Sequence, residues 1–402
     1  MGKIEVTLMN KDRPVMYLSG ELKPASDKSR ISAFVAEKAK FDAENKKFLP
    51  VIINKEEIMI KTFNEWFRKR IISDRRMDVP DTPIDWRDGL PHYFSLSDQY
   101  WLRYNENETY KDLNFFTNGY KLLTGDTLFT KNKGVLNPAQ MYYHSPDVTT
   151  NGIMKKRWKR DKNGIDVLIK HSSNELKHEV LNEILATKLL ERLKMIPFVS
   201  YYMCIEGYDM CSMCRNFVTQ DTEFVPAYHI FSAAPYSKET LNLPEAQKTY
   251  AHLAEAIDYF KIPGALEFID KMLIVDCMMM NDDRHLGNFG FLRNVNTGEF
   301  IEPAPLFDFG SAFFKDSIKT NKNKSLFADR INYLFDNKSM QPLTKQTLSQ
   351  FKKSIKEFSF VSNTDRNRII DELEENNKKI RDELLKHESV SKEKNKDEID
   401  DF

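Results

Sequence analysis

The chain is 402 residues long and balances 60 basic side chains against 60 acidic ones. That length allows roughly two or three folding units with cores of their own. The charge balance removes any global electrostatic pull toward nucleic acid, and no uninterrupted apolar run is long enough to span a bilayer. The opening "MGKIEVTLMN" has no apolar signal core, and Val6 stands where a myristoylation pattern needs Ser or Thr, so a soluble, cytoplasmic protein is expected.

Residues 1–135 read as one block, rich in aromatics ("HYFSLSDQYWLRY", "DLNFF") and broken by the Pro-rich stretch "VPDTPIDWRDGLP". The block is too apolar to be a linker and is predicted to be an accessory N-terminal domain. Residues 136–222 are strand-rich. "GIMKKRWKRDKNGIDVLIKHSS" predicts two strands joined at Asp161-Lys162-Asn163-Gly164, where Asn-Gly is a strong hairpin signal. In the second strand Ile165, Val167 and Ile169 share one face, and Asp166, Leu168 and Lys170 the other. A helix follows in "NELKHEVLNEILATKLLERL", with an N-cap at 172–174 and Leu176, Val180, Ile184 and Leu185 on its apolar stripe.

Two more strand-like runs, 197–206 and 209–218, contain the C-x-x-C pair Cys211 and Cys214. A zinc site needs a second ligand pair at metal spacing, and a redox motif needs a helix N-terminus; neither is present, so buried, inert thiols are expected. Residues 223–385 are predicted mainly helical, with helices at 245–260, 265–280 and beyond 340, and 386–402 as a disordered charged tail. The fold class is therefore α+β, with a strand-rich lobe, a helical lobe and an extra N-terminal domain.

The chemistry concentrates in "NDDRHLGNFG" and the later "FDFG". Phosphoryl transfer from a nucleotide needs a carboxylate for the attacking hydroxyl's proton, oxygen ligands for Mg²⁺, and a cation on the phosphates held by a partner carboxylate. Protein kinases place their catalytic Asp five positions before a metal-binding Asn and follow it with DFG. Here Asp283 stands five positions before Asn288, and Asp308-Phe309-Gly310 follows. Asp283 is then the predicted base, Asn288 and Asp308 the Mg²⁺ ligands, and His285 a group that braces the loop by hydrogen bonding. Lys170 at the end of "DVLIK" is the candidate phosphate lysine. Leu168 on the same face could cover an adenine, and Glu179 or Glu183, with Glu183 nearer the apolar stripe, is the carboxylate partner. "SPDVTTNGIMKKRW" is the candidate phosphate-covering loop for ATP, offering Thr149, Thr150, Asn151 and Gly152. Each signal alone has a bland reading: a turn, a solvated helix face, an exposed strand lysine. Their order along the chain points to a two-lobed protein-kinase-like fold.

"NDDRHLGNFGF" with "PAPLFDFGSAF", and the helix "EVLNEILATKLLERL", resemble the HipA family of bacterial Ser/Thr kinases. The resemblance covers about 140–375 and implies the roles above: Asp283 as base, Asn288 and Asp308 on Mg²⁺, Lys170 on ATP and Glu183 on the helix. It also implies a protein substrate with a Ser/Thr hydroxyl, the toxin role and helix-turn-helix antitoxin partner common in that family, and autophosphorylation in the phosphate loop, where Ser145, Thr149 and Thr150 stand. Three other readings remain open. Lipid kinases of the phosphoinositide type share D-R-H-x-x-N and DFG, and Lys315, Lys319, Lys322 and Lys324 could read a headgroup. A small-molecule phosphotransferase is a further reading. A pseudokinase docking module is another.

Overall fold

The computed structural model describes residues 3–24, 32–53, 56–71, 91–120, 145–150, 154–172, 178–313, 326–359 and 361–400. The chain divides into two compact units. The first comprises Met1–Lys177, Tyr202–Val225 and Phe291–Ile301, and the second His178–Tyr201, Pro226–Gly290 and Glu302–Phe402. The strand-rich segment expected to stand apart from the N-terminal block lies in one unit with it.

In the first unit, β1 (Ile4–Asn10), β2 (Arg13–Pro24), β3 (Ser32–Phe41) and β4 (Tyr100–Arg103) form an antiparallel sheet in the order β3-β2-β1-β4. Helix α1 (Met59–Arg70) carries Phe63, Trp66 and Phe67 into a core shared with Leu8, Phe34, Tyr93 and Tyr100. Its last residue, Arg70, is buried and donates to the carboxylate of Asp98 and to the carbonyls of Tyr93 and Tyr100, so the charge is paired where water is excluded.

A second sheet has the order β5-β6-β8-β7, from β5 (Lys156–Arg160), β6 (Asp166–His171), β7 (Tyr201–Glu206) and β8 (Asp209–Arg215). The predicted β5–β6 hairpin forms. Gly164 takes φ +78°, and the Asp161 carboxylate accepts from the backbone N–H groups of Asn163 and Ile165. Trp158 of β5 joins Phe94, Trp101 and Phe115 in an aromatic core. That packing, with the side chain of Asn216 donating to the Leu96 carbonyl, ties this sheet to the N-terminal block. The second core explains why the two segments fold together rather than as separate domains.

Three short strands went unforeseen: β9 (Thr222–Pro226), β10 (Gly290–Asn294) and β11 (Phe300–Pro303), ordered β11-β10-β9. Runs of four or five residues have too few positions to show an alternation. Arg293 of β10 and Glu223 of β9 are both buried and form an ion pair, and Arg293 also donates to the Leu49 carbonyl and the Tyr100 hydroxyl. All four cysteines are thiols. Cys211 and Cys214 are buried, as expected, and the Cys211 thiol donates to the Asp209 carbonyl at 3.6 Å.

The second unit is helical: α2 (His178–Leu193), α3 (Ala227–Ala233), α4 (Glu245–Tyr259), α5 (Ala265–Met279), α6 (Ala328–Asp336), α7 (Lys345–Glu357) and α8 (Asn363–Asp400). The predicted helices at 245–260 and 265–280 match α4 and α5. Helix α2 has no single apolar stripe, because Val180 through Thr187 are all buried; residues 173–177, with most of the expected N-cap and Leu176, lie outside the described residues. Where a disordered tail was expected from 386, α8 continues to Asp400. That stretch contains neither Gly nor Pro and is rich in Lys and Glu, which suit helix. Among the described residues no helix is long and apolar enough to cross a membrane.

Glu255 on α4 accepts hydrogen bonds from the hydroxyls of Ser237 and Thr240, both at 2.5 Å. Burial pushes its pKa up, but the bonds from Ser237, Thr240 and His252 outweigh it and hold the carboxyl at about 2, against an ordinary 4.5. A depressed carboxyl pKa stabilises the fold above the ordinary value and loses that contribution as pH falls through the folded one. Glu255→Gln should therefore cost about 1 kcal/mol near neutrality in urea unfolding. The gap from wild type should close as pH falls from 4.5 toward 2.

Candidate active site

Helix α5 delivers the loop. Its second half, from Met272 to Met279, is apolar except for Asp276, which is buried. The helix ends because Met280 turns left-handed, at φ +57°, and the N–H of Asn281 returns to the Asp276 carbonyl at 2.9 Å. The chain then runs out of the helix as 281–288.

The loop is organised by Arg284. Its guanidinium is buried and meets the Asp276 carboxylate through two nitrogens, Nε to Oδ2 at 2.8 Å and Nη2 to Oδ1 at 3.1 Å. Nη1 donates to two carbonyls at 2.7 Å, those of Asn288 and Phe307. The Asn281 amide adds a third bond to the Asp276 carboxylate, at 2.8 Å. One side chain thus ties the helix end, the far end of the loop and the residue before Asp308. Burial works to lower the Arg284 pKa, but Asp276 above all, with Asp308 and Tyr201, raises it beyond its ordinary value, so the group stays charged.

Three of the predicted residues come together on this frame. Asp283 is exposed, and its backbone carbonyl accepts from the Asn288 side-chain amide at 2.9 Å. A carbonyl only accepts, so the amide nitrogen must face it and the amide oxygen points elsewhere. That oxygen is a hard donor of the kind Mg²⁺ takes. Asp308 sits in the left-handed region at φ +63°, with its N–H on the Tyr201 hydroxyl at 3.3 Å. Phe309 behind it is fully buried, with the Arg284 guanidinium 5.4 Å from its ring centre, and the N–H of Phe313 bonds the Met279 carbonyl. The Asp308 turn is therefore pinned to the end of α5.

His285 was expected to brace the loop. Its ring is exposed, and Nδ1 accepts from the Gly287 N–H at 3.0 Å, which leaves the neutral ring's proton on Nε2. A Cβ at 287 would fall 2.9 Å from that ring, so any other residue there would make the ring swing aside and give up this bond. The bond is local; Arg284 does the long-range bracing. The sequence held a signal for it in Asp276, a charge inside "MLIVDCMMM", because a charge buried there requires a partner.

Glu183 lies on α2 and is buried, 2 % exposed. Its neighbours on that helix reach Gly310: the Asn182 amide donates to the Gly310 carbonyl at 2.7 Å, and Glu179 packs beside Gly310. Lys170 is the penultimate residue of β6 in the first unit and is also buried, opposite Lys156 on β5 and Ser212 on β8.

Leu168, a candidate adenine cover, is half-buried and packs against the aromatic core of Trp101 and Trp158. Thr149 and Thr150, expected to face a phosphate, are buried. The Thr149 hydroxyl donates to the Phe94 carbonyl at 2.8 Å, and the Thr150 hydroxyl to the Pro146 carbonyl at 2.8 Å. Ser145 is buried too, and accepts from the Asp147 N–H. In this conformation the hydroxyls of that segment serve a buried turn rather than a phosphate or a phosphorylation site, because its Ser-Pro-Asp start closes a short 3₁₀ helix, Pro146–Thr149. Asn151 and Gly152 lie outside the described residues, as do Lys315, Lys319, Lys322 and Lys324.

Solved structures that resemble the chain include the following two. The crystal structure of a proinflammatory kinase, CtkA, from Helicobacter pylori matches at a TM-score of 0.43 and 20% identity, over 59% of this chain and 95% of that one. The toxin–antitoxin complex of HipA and HipB with operator DNA from Shewanella oneidensis MR-1 matches at 0.46 and 10%, over 95% and 96%. In sequence, the serine/threonine-protein kinase CtkA of Helicobacter pylori (strain J99) is 33% identical over 104 residues, 25% of this chain. The match spans only 30% of that relative's own length. The model of the HipA-like C-terminal domain covers residues 139–379, more than half of the chain and all of the Asp283–Asp308 site. On that match, the chain belongs to the HipA-like C-terminal domain family.

Proposed function

We propose that the chain is a kinase that transfers the γ-phosphoryl group of ATP, with Mg²⁺, to a Ser or Thr hydroxyl on a protein. The observation that carries this is the Asp283–Asn288 lock. The Asp283 carboxylate is exposed to an incoming hydroxyl, while the Asp283 carbonyl turns the Asn288 amide so that its oxygen is available to a cation. Asp308 adds a carboxylate from a turn pinned to the same helix end. The donor set of one amide oxygen and one carboxylate suits Mg²⁺, which keeps several of its own waters and takes few protein ligands. Bound there, Mg²⁺ would neutralise charge on the phosphates.

The chain's own residues do the rest. Asp283 orients the acceptor hydroxyl and takes its proton at a carboxylate oxygen. Arg284 holds the loop so that Asp283 and Asn288 keep their spacing. Lys170 is assigned to the nucleotide phosphates, and Glu183 to the supporting carboxylate role that its place on α2 suggests. The family match and the stretch shared with CtkA support a kinase over the docking-module reading.

The test is the intact mass of the purified chain, alone and with candidate protein acceptors, after incubation with Mg·ATP. Asp283→Asn keeps the backbone carbonyl that Asn288 uses and removes the base, so transfer should fall by about a hundredfold or more with little loss of stability. A wild-type chain that neither transfers phosphate nor binds ATP with Mg²⁺ would sink the proposal.

A further inference from the structure

The β7–β8 hairpin carries a thiol on each strand. The two strands are neighbours in their sheet, and only Gly207, at φ +62°, and Tyr208 separate them. A two-residue turn places Glu206 opposite Asp209, and two steps along each strand bring Cys204 opposite Cys211 on the same face. Opposed residues of an antiparallel pair have Cα atoms about 4.5–5.5 Å apart, inside the roughly 4.4–6.8 Å that a disulfide spans. Cys214, the other half of the C-x-x-C, stands three residues from Cys211. That puts it on the opposite face of β8 and about 10 Å along it, too far to bridge. Cys277 belongs to α5 in the second unit.

The two thiols are unequal. Cys211 is fully buried, whereas Cys204 is half-buried and open to small solutes. Hydrogen bonding from Cys211 to the ionised sulfur is the strongest influence on Cys204 and brings its pKa below the ordinary 9.0. Burial and Glu206 oppose that shift, Lys159 and Arg157 on β5 support it, and the net direction is down. The same bond pushes Cys211 up, as do burial and the carboxylates of Asp209 and Glu206. An accessible thiolate beside a protonated, buried thiol is how an attacking and a resolving cysteine are arranged.

We propose that Cys204 and Cys211 are a peroxide-sensitive pair that closes to a disulfide within the folded chain. The Cys204 thiolate attacks one oxygen of hydrogen peroxide; an S–O bond forms, the O–O bond breaks, and hydroxide leaves and is protonated to water. The Cys211 sulfur then attacks the Cys204 sulfur, the S–O bond breaks, and hydroxide departs with the Cys211 proton as a second water. The two thiols together lose two electrons, and the peroxide gains them. No part of this assignment depends on the kinase reading.

The test is peroxide treatment of the reduced, folded full chain at neutral pH, then alkylation of the remaining thiols, chymotryptic cleavage after Tyr208 and mass spectrometry. Two of the four thiols should be lost, and a linked pair of peptides holding Cys204 and Cys211 should appear. Dithiothreitol should restore both thiols. Cys211→Ser should stop at a Cys204 sulfenic acid that dimedone traps. Cys204→Ser should slow thiol loss by about tenfold or more, because the attacker left is a buried thiol of raised pKa. The wild-type peptide map stands even if a variant fails to fold. A disulfide that joins other cysteines or two chains overturns the proposal. So do thiols that survive or oxidise irreversibly without a disulfide, and equal rates in wild type and Cys204→Ser.

Discussion

Replacing Arg284 with methionine should destabilise the protein by about 3–5 kcal/mol, the usual cost of removing one member of a buried ion pair. The Asp276 carboxylate would stay buried, keeping the Asn281 amide but losing both guanidinium bonds, and the carbonyls of Asn288 and Phe307 would lose their shared donor. Urea unfolding should show a lower midpoint at an unchanged slope. Arg284→Lys should rescue little of this, since one ammonium cannot reproduce a planar fork that serves both carboxylate oxygens and two carbonyls at once. The double change Asp276→Leu with Arg284→Met removes both charges and should recover much of the stability, as apolar replacements of buried pairs often do. Phosphate transfer should not return, because nothing would then hold the ends of the loop. A single Arg284→Met variant as stable as wild type would mean that Arg284 is not the brace.

The sequence showed the elements whose pattern repeats and hid those fixed by a single contact. The β5–β6 hairpin was legible because Asn163-Gly164 supplies the one residue that takes a positive φ without strain. Helices α4 and α5 were legible from their length and apolar content. The spacing of Asp283, Asn288 and Asp308 was legible because the proposed chemistry constrains it. Thr149 and Thr150 show the opposite case: hydroxyls in a loop look available, and only their bonds to the carbonyls of Phe94 and Pro146 reveal a structural use. His285 drew attention from Arg284 for a similar reason. An imidazole suggests chemistry, whereas an arginine beside two aspartates looks like surface charge until the helix end is seen to bury it. The assignment of α2 to the helical unit was not legible at all, since it rests on partners far along the chain, such as the Gly310 carbonyl for Asn182, 128 positions away, and Ser354 of α7 for Arg192.

Asp308 offers a second large effect, in which function and stability should separate. It holds φ +63°, a conformation that costs a side-chain-bearing residue about 1 kcal/mol or more. Such strain persists where the surrounding structure enforces it, and it collects at functional sites. Asp308→Ala and Asp308→Gly both remove the carboxylate and its attraction for Arg284, so both should lose phosphate transfer by roughly a hundredfold or more. They differ in backbone alone. The glycine variant should be the more stable of the two by about 1 kcal/mol, because glycine enters the left-handed region without the Cβ clash. Equal stability would mean that the turn relaxes once the carboxylate is gone, so that the carboxylate itself enforces the conformation. Full transfer in either variant would remove Asp308 from the proposed metal site. A structural role alone predicts that the more stable variant is also the more active. A ligand role predicts two equally inactive proteins of unequal stability, because the strain at Asp308 then serves to aim a group that neither variant has.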